Sequence, residues 1–531
     1  MATINEPVVS VKLIPAPTGV KLSPRRALLV ATLPPTKSAL FGAANFKFLQ
    51  DSQALSFEQK TKKELADLLG TGRAFHTMQQ AIAGSAKQYP IDILLLKNEA
   101  ATDTTTITFG ATAANDGTLT LSVFDAFQFT FKVDFKAGDT KASVTAKIIN
   151  QLASKENAPF YFTSSVGDLT ITWLDGFNSK STPIHIKCLD SGLDPVIENV
   201  SNTTPTQPTV SFFDVVGDQR YTTILWPDYY SDSIQNVLLP YLSKRLNVYN
   251  NILDGIGYCT LTDTAVNMLT FTETFNGEGV VISAHSLIDG LFDASIGAAD
   301  TQCPDMLMAF SATAIDRTAV SGADLTDIVS GASGLSDYTG GEALASLPYS
   351  GIPIANSIPN NPAWYFSLEL QKTLEDFNLS IIGVNRAGNT NIVGRFQTQF
   401  KTDAKGNVNT IWKPLEHIRT SSIVREYFDN AFRTEMSKKR MVDDGDLIEG
   451  RSMTSKALVE VFLSDTYQEI AKEALVTAGA KALKSFQNSL TVEIDANNQA
   501  INVNCVVEIV THVSQITMNL AVTTNYNNVR A

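Results

Sequence analysis

The chain has 531 residues, of which 18% are charged, and a formal net charge of −13. At roughly 100 to 200 residues per domain this length predicts about three to five units, each with a core of its own. A charged fraction below the roughly 25% of ordinary soluble domains suits a surface covered by neighbours. Net acidity, with no Lys/Arg block beyond Lys438, Lys439 and Arg440, excludes broad binding to nucleic acid phosphates or acidic lipid and leaves protein as the expected partner.

The first twenty residues carry no charged-then-apolar signal pattern, and no apolar run approaches the roughly eighteen residues of a membrane helix. The expectation is a chain without a membrane segment that matures in a cytoplasm. Cys188, Cys259, Cys303 and Cys505 are scattered without a CxxC pair, which argues against a disulfide scaffold or a zinc ribbon. Cys505 alternates with Val503 and Val507, so burial as a small hydrophobe is its default reading, with an inter-subunit disulfide as the alternative.

In chain order, Val9, Val11 and Leu13 make one short strand fenced by Pro7, Pro15 and Pro17, with no hairpin mate nearby. From 26 to 96 strand and helix alternate. Residues 27–30 form an apolar run, and Thr61 with Glu64 makes a capping box before Leu65, Leu68 and Leu69, with Gly70 as the stop. Residues 73–83 read as a second helix through Phe75, Met78 and Ile82, and 91–96 as a buried strand. That order predicts a parallel α/β sheet.

At about 101 the texture changes to strict period-two alternation: 104–109, then Leu119, Leu121 and Val123 after the Asn115-Asp116-Gly117 turn, then 127–135. One helix follows, capped near Asp139 or Thr140 with Val144, Ile148 and Leu152 on one face, and then strands at 169–173 and 184–188. Residues 203–208 look like a linker. The α/β texture resumes with a strand at 222–226, a helix from about 232, a strand at 256–261, a helix from about 263 with Val266 and Leu269 inward, and a strand at 279–284. Residues 321–362 read as a long surface excursion. Two long helices, about 415–437 and 455–472, precede three alternating runs: Leu490, Val492, Ile494; Ile501 to Ile509 after the Asn497-Asn498 turn; and Ile516, Met518, Leu520, Val522. A lone strand is marginal by itself. The N-terminal strand and the tail 523–531 are therefore expected to add to a sheet edge, in the same subunit or a neighbouring one.

No catalytic site emerges, and no cofactor or metal is expected. The string 445–452 misses the GxxxxGK[ST] phosphate loop by one residue, but Asp443, Asp444, Asp446 and Glu449 would surround a phosphate with negative charge. His185 and Cys188 sit three apart on a strand and face opposite sides. His285 lies beside Ser283 and Ser286 with Asp289 nearby, without a GxSxG elbow.

Three stretches resemble one family. Residues 107–140, ITFGATAANDGTLTLSVFDAFQFTFKVDFKAGDT, look like the β-insertion of tail sheath proteins of Mu-like contractile-tail bacteriophages. Residues 64–84, ELADLLGTGRAFHTMQQAIAG, resemble the family's N-terminal helix pair, with Leu69 where phenylalanine is usual. Residues 388–412, GNTNIVGRFQTQFKTDAKGNVNTIW, running on into LEHIRTSSIVREYF, resemble the start of its C-terminal domain. The likeness covers most of 25–520 and is weakest between 319 and 362.

The resemblance implies a virion structural protein, assembled in the host cytoplasm. Its copies would stack as hexameric rings around a tail tube, between baseplate and tail terminator proteins, and would contract to drive the tube through the host envelope. The implied fold class is multidomain, α/β and α+β. An N-terminal arm (1–20) leads into a central subtilisin-like α/β domain without catalytic residues (21–100 and 209–393). An inserted mostly-β domain (101–208) interrupts it. A C-terminal α+β domain facing the tube (394–522) and a C-terminal arm (523–531) complete it. The implied inter-subunit arm strands carry Val9, Val11 and Leu13 at one end and Met518, Leu520 and Val522 at the other, and Lys438, Lys439 and Arg440 form the candidate tube-facing cluster. Two other readings stand beside this one: another self-assembling protein of a similar machine, either the sheath of a phage-tail-like bacteriocin or injection system or a different tail component, and a soluble enzyme, which the missing catalytic constellation disfavours.

Overall fold

A computed structural model describes residues 26–510 apart from 34, 52–56, 86, 88, 98–103, 125–127, 156–157, 159, 174–183, 199–206, 218, 246–254, 274, 287–303, 319–366, 385–389, 394–395, 404, 437–438, 449–450, 473–474 and 496–499. Both expected arms lie outside the described residues. The described chain is a mixed α/β protein with several sheets. It falls into two compact units, one running to Ser422 and the other Ile423–Ile509.

The larger unit opens with Ala27–Leu33 (β1), Phe46–Leu49 (β2) and Ile91–Lys97 (β3). All seven residues of β1 are buried, as a central parallel strand covered on both faces requires. Seven strands with sheets of their own follow: Thr104–Thr108 (β4), Gly117–Phe124 (β5), Gln128–Phe135 (β6), Phe160–Ser165 (β7), Asp168–Trp173 (β8), Ile184–Lys187 (β9) and Val196–Glu198 (β10). The first sheet then resumes with Thr223–Trp226 (β11), Ile256–Asp263 (β12), Gly277–Ser286 (β13), Ser380–Val384 (β14), Thr390–Val393 (β15) and Thr398–Gln399 (β16). In space it runs β15-β14-β13-β12-β11-β1-β3-β2, with β16 against β13. Along that order the interior pairs are parallel and the outermost pairs, β2–β3 and β14–β15, antiparallel, as is β13–β16.

Each face of this sheet carries a core. Leu29, Ile93, Leu95 and Tyr258 pack against helices Arg73–Ser85 and Pro304–Thr318 on one side, and Val30, Leu94, Trp226 and Ile282 pack with Phe212, Phe213, Leu238 and Leu374 on the other. The capping box at Thr61 and Glu64 is formed, and Gly70 at φ 78° ends the helix Lys62–Leu69. Gly84 is where helix Arg73–Ser85 passes Phe310 and Thr313 so closely that a Cβ would collide with the Phe310 carbonyl.

Two buried charge clusters tie the strand starts together. Asp92, fully buried on β3, accepts from Arg26 Nη1 at 2.6 Å, Tyr221 OH at 2.6 Å and the Asp51 N–H at 2.7 Å. Asp316 accepts from Arg419 Nη1 at 2.6 Å, Thr223 Oγ1 at 2.9 Å and the Thr222 hydroxyl, while Arg419 Nη2 donates to Tyr258 OH at 3.1 Å. Burial raises the pKa of both Tyr221 and Tyr258. Both phenols therefore stay protonated, Tyr221 donating to Asp92 and Tyr258 accepting from Arg419.

The residues 104–198 make a four-stranded sheet, β10-β4-β8-β7, and a three-stranded one, β6-β5-β9, around one core with helix Lys141–Leu152. Phe129, Phe131, Phe160, Phe162 and Trp173 meet there edge-on or stacked at centroid distances of 5.0–6.4 Å. The first and last strands are antiparallel neighbours, with Ile107 opposite Ile197, so the segment leaves and rejoins the chain at one end. At the other end Asp190 accepts four backbone N–H groups, from Ala114, Asn115, Gly192 and Leu193, at 2.7–3.0 Å.

Three local readings are corrected. The helix from about 232 is a 3-10 turn over Asp228–Ser233, a π turn over Ile234–Leu238 and an α-helix over Leu239–Arg245. Pro240 lacks an N–H and crowds the preceding turn, which accounts for the widened ladder. Val266 is 71% exposed, because helix Ala265–Glu273 buries Met268 and Thr272. Residues 396–399 sit with the larger unit, Phe396 fully buried and Thr398–Gln399 paired to β13, ahead of the smaller unit's start at Ile423.

Candidate functional site

The unit Ile423–Ile509 is built on two antiparallel helices. In Lys456–Lys472 the residues Val459, Leu463, Tyr467 and Ile470 recur at helical spacing and are buried. Helix Ala480–Ser489 buries Ala482 and Phe486, the latter stacked on Tyr467 at 4.5 Å. Gln487 Nε2 meets Ser464 Oγ at 3.3 Å. Tyr467 OH donates to the Thr477 carbonyl at 2.8 Å, and burial, then the charge of Glu508, raises its pKa.

The C-terminal alternating runs become a hairpin of Thr491–Asp495 (β19) and Ala500–Asn504 (β20), in register from Thr491 opposite Asn504 to Asp495 opposite Ala500. Among the described residues their sheet holds those two strands alone. The second run stops earlier than its alternation suggests: the chain leaves the ladder after Asn504 and returns only as an Ile509 bridge to Val476. Cys505 is consequently exposed, correcting its default reading as a buried residue, and Val506 is 70% exposed. A two-stranded ribbon is marginal in water, and its outer backbone groups form a template for a further strand.

Of the sequence-derived site residues, Val9, Val11, Leu13, Met518, Leu520, Val522 and Lys438 lie outside the described residues. Lys439 is half-buried just beyond helix Leu415–Glu435, and Arg440 is exposed and paired in a short parallel ladder, Arg440–Met441 (β17) with Met453–Thr454 (β18). In the phosphate-loop-like string, Asp444 accepts the Ala457 N–H at 3.0 Å and so caps helix Lys456–Lys472. Asp443 and Asp446 are exposed beside it. The side chains of His185 and His285 lie outside the described residues, as does Asp289. Among the described residues no group of three His, Cys, Asp or Glu could hold a metal, and no helix is long and apolar enough to cross a membrane.

Sequence periodicity did not reveal four bare apolar side chains in this unit. Leu447 is 40%, Ile448 58%, Leu458 42% and Val461 57% exposed. Leu458 and Val461 follow one another at i, i+3 on the face of their helix opposite Val459 and Leu463. That signal was present in the sequence as an overly wide apolar stripe.

Solved structures similar to this chain include two sheath tail proteins. One is from Desulfitobacterium hafniense, at 11% identity, TM-score 0.41, and 92% of this chain and 97% of that one covered. The other is from Listeria innocua, at 11% identity, TM-score 0.42, and 93% and 94% covered. The baseplate of the anti-feeding prophage matches at 9% identity, TM-score 0.38, over 62% of this chain and 76% of that one. With TM-scores below 0.5 these likenesses carry no functional conclusion. No family model and no curated protein matches the chain.

Proposed function

We propose that the protein is a structural, non-enzymatic subunit of a contractile tail sheath. Its copies stack as hexameric rings around a tail tube, between baseplate and terminator proteins, and contract to drive the tube through a host envelope. The observation that carries the reading is the two-stranded hairpin β19–β20, an incomplete sheet in a chain whose two ends hold further strand-patterned segments. Val9, Val11 and Leu13 from one copy, and Met518, Leu520 and Val522 from another, complete such sheets across subunits. The three sequence motifs of the sheath family, in their order, support the same reading, on which the central α/β domain is subtilisin-like without catalytic residues. Lys439 and Arg440, with Lys438, form the tube-facing cluster.

Strand addition suits a joint that must hold while subunits move. Ordering about seven residues costs roughly 7–14 kcal/mol, and about six backbone hydrogen bonds return about 1 kcal/mol each. Burying Val9, Val11 and Leu13 adds about 1.5–3 kcal/mol apiece. One arm is then close to neutral, and many arms around a ring hold together. Deleting 1–15 or 523–531 is expected to leave thermal unfolding of the subunit unchanged and to abolish polymerisation. A truncated chain that still forms regular polymers contradicts the proposal.

A further inference from the structure

The unit Ile423–Ile509 carries two exposed charged patches of opposite sign. In helix Ala480–Ser489 the sequence AKALKSFQNS contains no acid, and Lys481 and Lys484 are both exposed at i, i+3, flanking the half-buried Leu483. Three bases on the neighbouring helices are paired: Arg433 with Asp429 at 2.8 Å, Lys472 with Glu469 at 2.6 Å, and Lys456 with Glu460 at 4.0 Å. Lys481 and Lys484 have no such partner among the described residues. In a chain of net charge −13, an acid-free basic face is a local inversion of sign.

The opposite patch is the loop 443–448. Asp443, Asp444 and Asp446 are exposed, and Leu447 and Ile448 next to them are 40% and 58% exposed. Asp444 is committed to the N–H of Ala457, which leaves Asp443 and Asp446 as outward charges. Apolar side chains rimmed by charge are the composition of an association surface.

The two patches cannot serve each other within one copy. The acidic loop is fastened at the start of helix Lys456–Lys472, through Ala457. Helix Ala480–Ser489 runs antiparallel to it, Gln487 beside Ser464 and Phe486 on Tyr467, so Lys481 and Lys484 lie towards the far end. At 1.5 Å per residue the separation is roughly 15–25 Å, beyond the Debye length of about 8 Å at physiological salt. Complementary patches at opposite ends of one element describe a heterologous, head-to-tail contact, the kind that closes into rings or grows into helices.

We propose that copies of this chain join head to tail through this unit, the Lys481 and Lys484 face of one copy seating on the 443–448 loop of the next. The contact rests on the proposed self-assembly but not on its being a contractile sheath. Charge swapping tests it in the full chain, with Asp444 left intact because it caps a helix. Lys481→Glu/Lys484→Glu and Asp443→Lys/Asp446→Lys are both surface changes, and each variant should keep the parent's Tm. Each alone should lose at least about tenfold of its sedimentable polymer at low salt, through like-charge contact at every junction. An equimolar mixture should polymerise like the parent, because every junction in an alternating assembly is again between opposite charges. Variants that polymerise alone, or a mixture that stays soluble, overturn the contact. So does a lysine variant that self-assembles normally and loses only attachment to purified tube. Polymer of the parent that survives while the swap shows no effect refutes this contact alone. A rescued mixture whose polymer is not tubular refutes the sheath reading and leaves the contact standing.

Discussion

Removing Arg419 should destabilise the larger unit strongly, whereas removing it together with Asp316 should not. The pair is almost fully enclosed, at 2% and 0% side-chain exposure, with the ion contact at 2.6 Å. Taking away only the guanidinium leaves a carboxylate in the core. Truncating one partner of such a pair costs about 3–5 kcal/mol, and a hydrophobic pair of similar volume is often neutral or stabilising. The hydroxyls of Thr222 and Thr223 still donate to Asp316, which places Arg419→Met near the lower end, about 3 kcal/mol. At about 2.1 cal/mol/K of unfolding entropy per residue, a unit of roughly 400 residues shifts by about 1–1.5 °C per kcal/mol, and Tm should fall by about 3–5 °C. Asp316→Leu/Arg419→Met should return to within about 1–2 kcal/mol of the parent. Urea unfolding read by far-UV circular dichroism measures both. An Arg419→Met chain within about 0.5 kcal/mol of the parent would refute the reasoning, as would a double variant worse than the single one.

Gly84→Ala should cost about 1–3 kcal/mol by overpacking, since the new methyl meets the fixed carbonyl of Phe310; a thermal melt indistinguishable from the parent's contradicts this. The far end of the 104–198 segment should loosen in acid. Hydrogen bonds from Lys147 and Lys141 lower the pKa of Asp139 and Asp168 respectively. Asp190 is also held low, burial opposing the shift and its four amide donors together overcoming it. Folded values below the unfolded one of about 3.9 mean that this stabilisation is complete above about pH 5 and is lost as pH falls through the folded values. Pulse hydrogen exchange on peptides from 104–198, after incubation at pH 7 and at pH 3, should show protection lost at the lower value, and equal protection refutes it. Replacing 101–208 by a short Gly-Ser linker should leave polymerisation intact, because the segment has its own core and its ends are strand neighbours; loss of all polymer from a folded remainder counts against that.

Period and capping made much of this architecture legible. The apolar runs at 27–30 and 91–96 are adjacent parallel strands, the Thr61 box caps its helix, and the alternation from 104 to 135 is a set of sheets apart from the first. Legibility ended where tertiary context decides. Nothing local distinguishes the inward Met268 from the outward Val266, and alternation through Cys505 continues past the point where pairing stops. The charged patches illustrate the same limit. Lys481 and Lys484 are ordinary helix lysines in sequence, and their isolation from acids is visible only once the neighbouring ion pairs are placed.

Electron microscopy of the purified full-length protein tests the central claim most directly. The account predicts rings or tubes of one uniform diameter, with six subunits around the axis, formed without any added factor. Discrete monomers at every concentration and salt, or polymers of irregular diameter, would contradict it.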